Sequence, residues 1–545
     1  MKKTTLYIVF LLFSSCFQIF GQTLTQKLYF GLGKDDGTYI ANTNAMKVEE
    51  LELHERTTSI SVTGNNITAC GQNSQMSIIA TPVNSFYPAA TWSVDNEEIA
   101  QISNTGKLSP KQNGTVTVTA TITFNDLITV SASKEITISN QGIGEYSLAI
   151  MGSSVPSGTG AETGKGYAQL LAQWLARSAA HEWNTVNISI GGNNTTDVLN
   201  RWESDLLTKC TRYVYYGLSL GNEGIHEKGQ AAFDSYRDNM QILINKAREA
   251  GKIPVIGNNY PRADFNATDY EYVKKLNMLI HEWDIPSVNL LGSIDDGNGK
   301  WVKTYEADNA HPNTIGHAEM FYVFVPSLFD ALTLGKPQPV RSKNTSITLK
   351  KNNKVKQITW TPENVVHSFT LSFAFRSTST GIIASFTNSN NSTSLLRIND
   401  EGKLVYETHS ILNKLISSTA FNDGEWHQVS LSHHYALGQT YLYVDGVLVK
   451  NTTFGESLIP IRFHLNSFED TPKSIDFSNL FFHRSAMNAD EIKALYEGKM
   501  LKSSLEIYAP LNGSAPTEDG ILANLAQSLN TLTIETQDEM HHSHQ

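Results

Sequence analysis

From Tyr146 to about residue 335 the chain repeats one pattern: a short apolar run, a loop rich in Gly or Asn, then a stretch with helical periodicity. The runs YSLAIMG, TVNISIGG, YVYYGLSLG, KIPVIGNNY and SVNLLG read as strands. Between the first two, Tyr167, Leu170, Leu171, Trp174 and Leu175 fall at i, i+3, i+4, i+7 and i+8, which is an apolar helix stripe. Strands that are apolar without alternation have both faces to bury, and strand, helix and strand in succession do so as a parallel sheet covered on each side. The reading is an α/β domain over 145–335, closed by a helix TIGHAEMFYVFVPSLFDALTL and followed by a Pro-containing linker over 336–344.

The flanking segments have a different period. Residues 58–140 alternate apolar with polar or β-branched residues, as in GTVTVTATITF and VSASKEITI, with Asn, Gly and Pro between the runs. Residues 345–538 do the same over a longer span, in FTLSFAFRS, GIIASFTN and TYLYVDGVLV. Each is expected to be a β-sandwich, and roughly three or four domains suit a chain of 545 residues. Asp445 and Gly446 are placed to make a tight hairpin turn. Residues 23–57 are a lead-in with no assigned fold, and 539–545 are a tail whose three histidines read as surface rather than as a metal site.

Lys2 and Lys3, the apolar TLYIVFLLF and the small and polar residues up to Gly21 and Gln22 have the layout of a secretory signal peptide over 1–22. The apolar run is too short to span a bilayer, and no other stretch reads as a transmembrane span. Cys16, preceded by Phe-Ser-Ser, offers a second reading as the lipid-modified cysteine of a lipoprotein; cleavage after Gly21 is favoured, and the protein is expected to be secreted or held at the cell surface or periplasm. Cys70 and Cys210 then remain, in different expected domains, so no disulfide is anticipated. A net charge of −11 with no basic block argues against nucleic acid or an anionic membrane surface as partner.

In a doubly wound sheet, ligands collect at the carboxyl ends of the strands. Four polar clusters lie there: IMGSSVPSG after the first strand, SIGGNNTTD after the second, SLGNEGIH after the third, and DNAHPNTIGH before the last helix. These clusters, in this order, resemble the blocks of the SGNH (GDSL-like) hydrolases, serine esterases and lipases on a flavodoxin-like sheet. The first block of that family is Gly-Asp-Ser with a glycine four residues on; here Gly152, Ser153, Ser154 and Gly158 stand at those positions, so Ser154 is the nucleophile candidate and Ser153 departs from the usual aspartate. Asp308 and His311 match the family's Asp-x-x-His block. A serine hydroxyl needs a base within hydrogen-bond reach, itself oriented by a third group, and the resemblance implies that His311 is the base and Asp308 its orienter.

The resemblance also implies an oxyanion hole from the backbone N–H of Ser154, the N–H of Gly192 (Gly191 if the alignment slips by one) and the side chain of Asn222. Donors so placed contribute roughly 3 to 4 kcal/mol each. Glu223 departs from the usual Gly-x-Asn-Asp. His317, His226 and His181 read as surface or packing residues. No cofactor is implied.

The stretch ATWSVDNEEIAQISNTGKLSPKQNGTVTVTAT resembles bacterial Ig-like domains, with Trp92 in the core. FNDGEWHQVSLSHHYALGQTYLYVDGVLV, with SIDFSNLFFHRSAMNADEIKALYEGKM, resembles laminin G-like, concanavalin A-type sandwiches. There Trp426 and Tyr443 read as core residues in preference to sugar-stacking platforms. The architecture resembles secreted carbohydrate-active enzymes, which implies a serine esterase acting on ester groups, O-acetyl foremost, of a polysaccharide or glycan, with carbohydrate binding by the C-terminal sandwich as an open role. The alternatives are a glycan-binding or adhesion protein with an inactive hydrolase domain, and a lipase or short-chain aryl esterase of the same mechanism.

Overall fold

The computed structural model describes residues 57–538 apart from 84, 86, 125–127, 179–180, 344–345, 352–353 and 514–518, together with 32–33 and 39–40. The expected signal peptide over 1–22, Cys16 and the tail over 539–545 lie outside the described residues. Of the lead-in, an antiparallel pair Leu32–Gly33 and Tyr39–Ile40 and the single residue Thr57 are described.

The chain divides into two compact units. The first takes in residues up to 66, 73–109 and 114–137. Its described elements are β-strands, as the alternation predicts. Along Gly114–Thr123 the alternate residues Val116, Val118, Ala120 and Ile122 are buried, and this strand pairs antiparallel with Thr91–Val94. Trp92 corrects its expectation in part: it is half-buried, its ring set against Gly106 rather than in the centre of the core.

The second unit takes in residues 67–72, 110–113 and 138–545. Its central sheet contains β1 (Gly144–Gly152), β2 (Asn184–Asn187), β3 (Thr211–Gly217), β4 (Ile253–Gly257) and β5 (Ser287–Val288). They lie in the order β2-β1-β3-β4-β5, all parallel. Successive residues of each central strand enter opposite cores. Leu148, Ile150, Tyr213, Tyr215 and Val255 pack on one side, and Ala149, Met151, Val214, Tyr216 and Ile256 on the other. That two-sided burial is why these strands read as unbroken apolar runs.

Helix α1 (Tyr167–Ser178) covers the first side through Tyr167, Leu171 and Leu175, joined by Met320 of α5 (Thr314–Tyr322). The other side is covered by α2 (Thr195–Arg201), α3 (Gln230–Glu249) and α4 (Ala267–Glu282). The closing helix differs from expectation. The chain leaves it at Tyr322 and resumes only at Leu328–Thr333, because Pro326 has no N–H to give and bars the helical conformation at the residue before it.

Residues beyond 345 form the predicted sandwich, with, among the described residues, one antiparallel sheet of seven strands and one of eight. Asp445 and Gly446, with φ of 51° and 77°, make the two-residue turn between Gln439–Val444 and Val447–Asn451. Tyr443 is buried as expected. Trp426 is not: it is 40% exposed, with the Arg376 guanidinium 5.0 Å above its ring.

The sandwich is not tethered by a free linker. Lys336 donates to the carbonyls of Asn524 and Ser528, Arg341 to those of Leu495 and Lys499, and the Ser342 N–H to the Tyr508 hydroxyl. A buried polar seam joins it to the α/β domain. His281, at the end of α4, accepts the N–H groups of Lys502 and Ser503 on Nδ1 at 3.2 Å each, so its proton sits on Nε2 and points to Glu491 Oε1 at 3.0 Å. Glu491, in α6 (Ala489–Tyr496), also accepts from Asn289 and from the Asn488 N–H. Gly292 lies so close that a Cβ there would come within 2.3 Å of the Ala486 carbonyl.

Cys70 and Cys210 form a disulfide, contrary to expectation, with their Cα atoms 5.9 Å apart. The segment 67–72 belongs to the second unit, where it reaches the residue preceding β3; a Cβ on Gly71 would touch the Leu207 carbonyl at 2.8 Å. A separation of 140 residues carries no sign of this proximity in the sequence.

Candidate active site

The sheet order places the ends of β1 and β3 side by side where the chain reverses direction, the point at which loops diverge and leave a cleft. Ser154 follows β1. Gly152 is required there, since a Cβ would stand 2.1 Å from the Gly217 carbonyl of β3. Ser153 is extended and caps a four-residue helix, Ser154–Ser157, which ends at Gly158 in the left-handed conformation (φ 96°). The Ser154 N–H therefore lies at a helix start, and among the described residues it donates to no backbone acceptor.

His311 Nε2 lies 2.8 Å from Ser154 Oγ, and His311 Nδ1 lies 2.9 Å from both carboxylate oxygens of Asp308. Asp308 Oδ1 also accepts the N–H groups of Ala310 and His311, so a tight loop folds the carboxylate onto the ring. Burial works against ionisation of Asp308, but the hydrogen bonds from the His311 ring and from the Ala310 and His311 backbone outweigh it and hold the carboxyl below its usual range. The loop sits against the serine because Gly160 (φ 95°) lets the backbones meet: a Cβ there would be 2.2 Å from the Pro312 carbonyl and 3.1 Å from His311 Cβ. Asn313 caps α5 through the Gly316 N–H.

The glycine pair of the second cluster lies beside the serine. A Cβ on Gly191 would be 3.8 Å from Ser154 Cβ, whereas one on Gly192 (φ 81°) would meet nothing within 4 Å. Among the described residues neither N–H is taken by a backbone acceptor. Asn222 donates from Nδ2 to the Asn193 carbonyl at 3.0 Å, which brings the third cluster to the second. The structure thus joins Ser154, His311 and Asp308 by hydrogen bonds, sets Gly191 beside the serine, and ties Asn222 to the Gly192 loop through the Asn193 carbonyl.

Two arginines in this setting had no motif to announce them. Arg201 donates to Asn193 Oδ1 and to the Ile188 and Gly152 carbonyls, clasping the second cluster to the end of β1. Arg262, in a Pro-Arg-Ala-Asp run after β4, donates to Asn222 Oδ1 at 3.2 Å. Glu223 is a linking residue rather than a flaw in the pattern: its carboxylate accepts the Thr195 N–H at the start of α2. Ser153 is fully buried, its Oγ without a hydrogen-bond partner among the described residues.

His317 is buried packing, as expected, its Nε2 donating to the Thr159 carbonyl and its Nδ1 accepting the Tyr167 N–H. His226 is a surface residue, as expected, with its Nδ1 3.0 Å from the Asp269 carboxylate, which accepts the Asn266 N–H at the start of α4. Among the described residues no three His, Cys, Asp or Glu side chains gather as a metal-binding group.

Comparison with known proteins finds three family matches along the chain. Residues 150–319 match the GDSL-like lipase/acylhydrolase family, 56–126 the bacterial Ig-like domain (group 2), and 351–492 the concanavalin A-like lectin/glucanase superfamily. No curated protein matches the chain. Among solved structures, an acetylxylan esterase from Geobacillus stearothermophilus is 18% identical, with 33% of this chain and 92% of that one covered, at a TM-score of 0.27. A lipase from a goat rumen metagenome is 15% identical, covering 32% and 93%, at 0.29. A candidate carbohydrate-binding protein from Bacteroides ovatus is 17% identical, covering 37% of this chain and 62% of that one, at 0.29. Likenesses of this strength bear on neither substrate nor mechanism. Residues 150–319 thus carry a GDSL-like lipase/acylhydrolase domain by family match, set between a match to the bacterial Ig-like domain and one to the concanavalin A-like superfamily.

Proposed function

We propose that this protein is an exported serine esterase that removes short acyl groups, acetyl foremost, from a polysaccharide or glycan. The observation that carries the reading is the line from Asp308 through His311 to Ser154, with contacts of 2.9 and 2.8 Å. His311 Nε2 takes the Ser154 proton as Oγ attacks the ester carbonyl, and Asp308 steadies the imidazolium. The oxyanion that forms is met by the N–H groups of Ser154 and Gly192 and by Asn222 Nδ2. His311 returns its proton to the departing sugar hydroxyl. A water, deprotonated by His311, then attacks the acyl-enzyme and frees the acid.

A short acyl group is supported by Gly191 beside Ser154 and by the Gly192, Asn193 and Asn222 joined to its loop, which offer little apolar surface to a long chain. A polymeric alcohol is supported by the openness of the site, where the Asp308 side chain is 58% exposed and His311 is 18% exposed. Export is supported by the Cys70–Cys210 disulfide, since such bonds persist in oxidising compartments. A second reading, a lipid or aryl ester, draws on Ile190 and Ile315, which are 47% and 51% exposed in the loop before Gly191 and in the first turn of α5.

Acetate release from a panel of acetylated polysaccharides, with Ser154→Ala alongside, tests the proposal. Release that vanishes in the variant supports it. Faster turnover of octanoyl than of acetyl esters would favour the second reading, and no turnover of any ester would leave a glycan-binding protein.

A further inference from the structure

Asn222 has two polar ends that a neutral environment would leave free to exchange, and here the neighbours decide which is which. Arg262 has only donors, and its Nη1 lies 3.2 Å from Asn222 Oδ1; the Asn193 carbonyl only accepts, and it lies 3.0 Å from Nδ2. The amide is therefore locked with one Nδ2 hydrogen on Asn193 and the other left for a ligand. Arg262 is itself fixed, because Nε and Nη2 grip the two oxygens of Asp264 at 3.0 and 2.7 Å. Room for its guanidinium exists only because residue 221 is glycine: a Cβ there would fall 2.5 Å from Nη1 and 2.6 Å from Cδ.

The same loop reaches the other half of the site. The Ala263 N–H and the Trp301 indole N–H both donate to the carbonyl of Asn309, which lies between Asp308 and His311, and Tyr260 stacks on Trp301 with centroids 5.8 Å apart. The Arg262 N–H donates to the Gly299 carbonyl. One loop thus braces both the Asn222 amide and the loop that carries His311.

We infer that Arg262 is a positioning residue of the ester hydrolysis: it fixes the orientation of the Asn222 amide and polarises it, so that Nδ2 meets the oxyanion at full donor strength. This rests on the ester-hydrolase reading above. Arg262 need not touch the substrate, as three of its donors are already engaged by Asp264 and Asn222. Its effect should then appear in kcat and depend on Asn222 being present.

The test is steady-state hydrolysis of 4-nitrophenyl acetate by the full chain carrying Arg262→Ala, Gly221→Ala, Asn222→Ala, or Arg262→Ala with Asn222→Ala. Asn222→Ala should lower kcat by about 100-fold or more, as loss of an oxyanion donor does. Arg262→Ala should lower kcat by about 10-fold with KM within about two-fold, and add less than about two-fold on top of Asn222→Ala. Gly221→Ala keeps the arginine but pushes it aside, and should lower kcat in the same direction, which serves if Arg262→Ala does not fold. The inference is overturned if Asn222→Ala is impaired while Arg262→Ala and Gly221→Ala keep normal kcat. It is equally overturned if the Arg262 and Asn222 effects multiply, or if Arg262→Ala acts on KM alone. Full activity of both Ser154→Ala and Asn222→Ala would instead remove the ester-hydrolase reading of the site.

Discussion

The carboxylate of Glu223 accepts the backbone N–H of Thr195 at 2.6 Å, so the loop after β3 holds down the first turn of the helix after β2. Burial pushes the Glu223 carboxyl above its usual range, although the Thr195 hydrogen bond and Lys228 pull the other way. Glu223→Ala leaves a buried N–H without its acceptor and should cost about 1–3 kcal/mol of stability, with a lower kcat because the Gly192 loop loosens. Glu223→Gln keeps a carbonyl in place and should recover most of both. Denaturant midpoints and ester kinetics on the two variants check this.

The pair His281 and Glu491 makes the sandwich part of the hydrolase fold. Both side chains are almost wholly buried, and Glu491 also receives Asn289 and the Asn488 N–H. Glu491→Ala strands three donors, each at about 1–3 kcal/mol where buried, and should lower stability by several kcal/mol. Calorimetry should show the transition of the α/β domain falling together with that of the sandwich. An α/β transition that keeps its temperature would show that the two domains fold independently.

The Cys70–Cys210 bond closes a long loop, 140 residues apart in sequence. Reducing it, or replacing both cysteines with serine, should lower stability by roughly 2–4 kcal/mol. A denaturation midpoint that does not respond to reductant would contradict the pairing.

Acid should destabilise the protein well above the range of ordinary carboxylates. Burial pushes His317 and His434 down to about 4, and His433 and His483 to about 3, from a usual value of 6.5. The unfolded chain takes up these protons where the folded one refuses them, so the stability they contribute is present above pH 6.5 and is lost as pH falls toward 4. Asp295, which burial pushes up to about 7, works in the opposite direction over much of that window. The four imidazoles outnumber Asp295, so their uptake of protons on unfolding sets the direction. Urea midpoints at pH 7, 6 and 5 should fall steadily; a flat series would mean that these imidazoles are already charged in the fold.

The parts of this molecule that were legible in the sequence are those whose cause is local. Strands buried on both faces become unbroken apolar runs, and Ser154, Asp308 and His311, which come into hydrogen-bond contact, each lie in a short cluster at a strand end or before a helix. What escaped depends on residues far apart in the chain. Arg201 and Arg262 are single arginines outside any cluster, and their partners are set by loops from other strands. His281 and Glu491 are separated by 210 residues. The apolar pattern of the closing helix ran on through Pro326, so periodicity overrode a breaker that was in plain view. Trp426 sits in a β pattern that marks it for the core, yet Arg376 covers a ring that stays near the surface.

The central claim is that His311 activates Ser154 as a nucleophile, and covalent capture tests it without knowledge of the substrate. The full chain, treated with a fluorophosphonate and examined by intact mass and peptide mapping, should carry one adduct, on Ser154. That adduct should be absent in Ser154→Ala and slowed by at least about 100-fold in His311→Ala. No adduct, or one that persists at another residue in Ser154→Ala, would contradict the account.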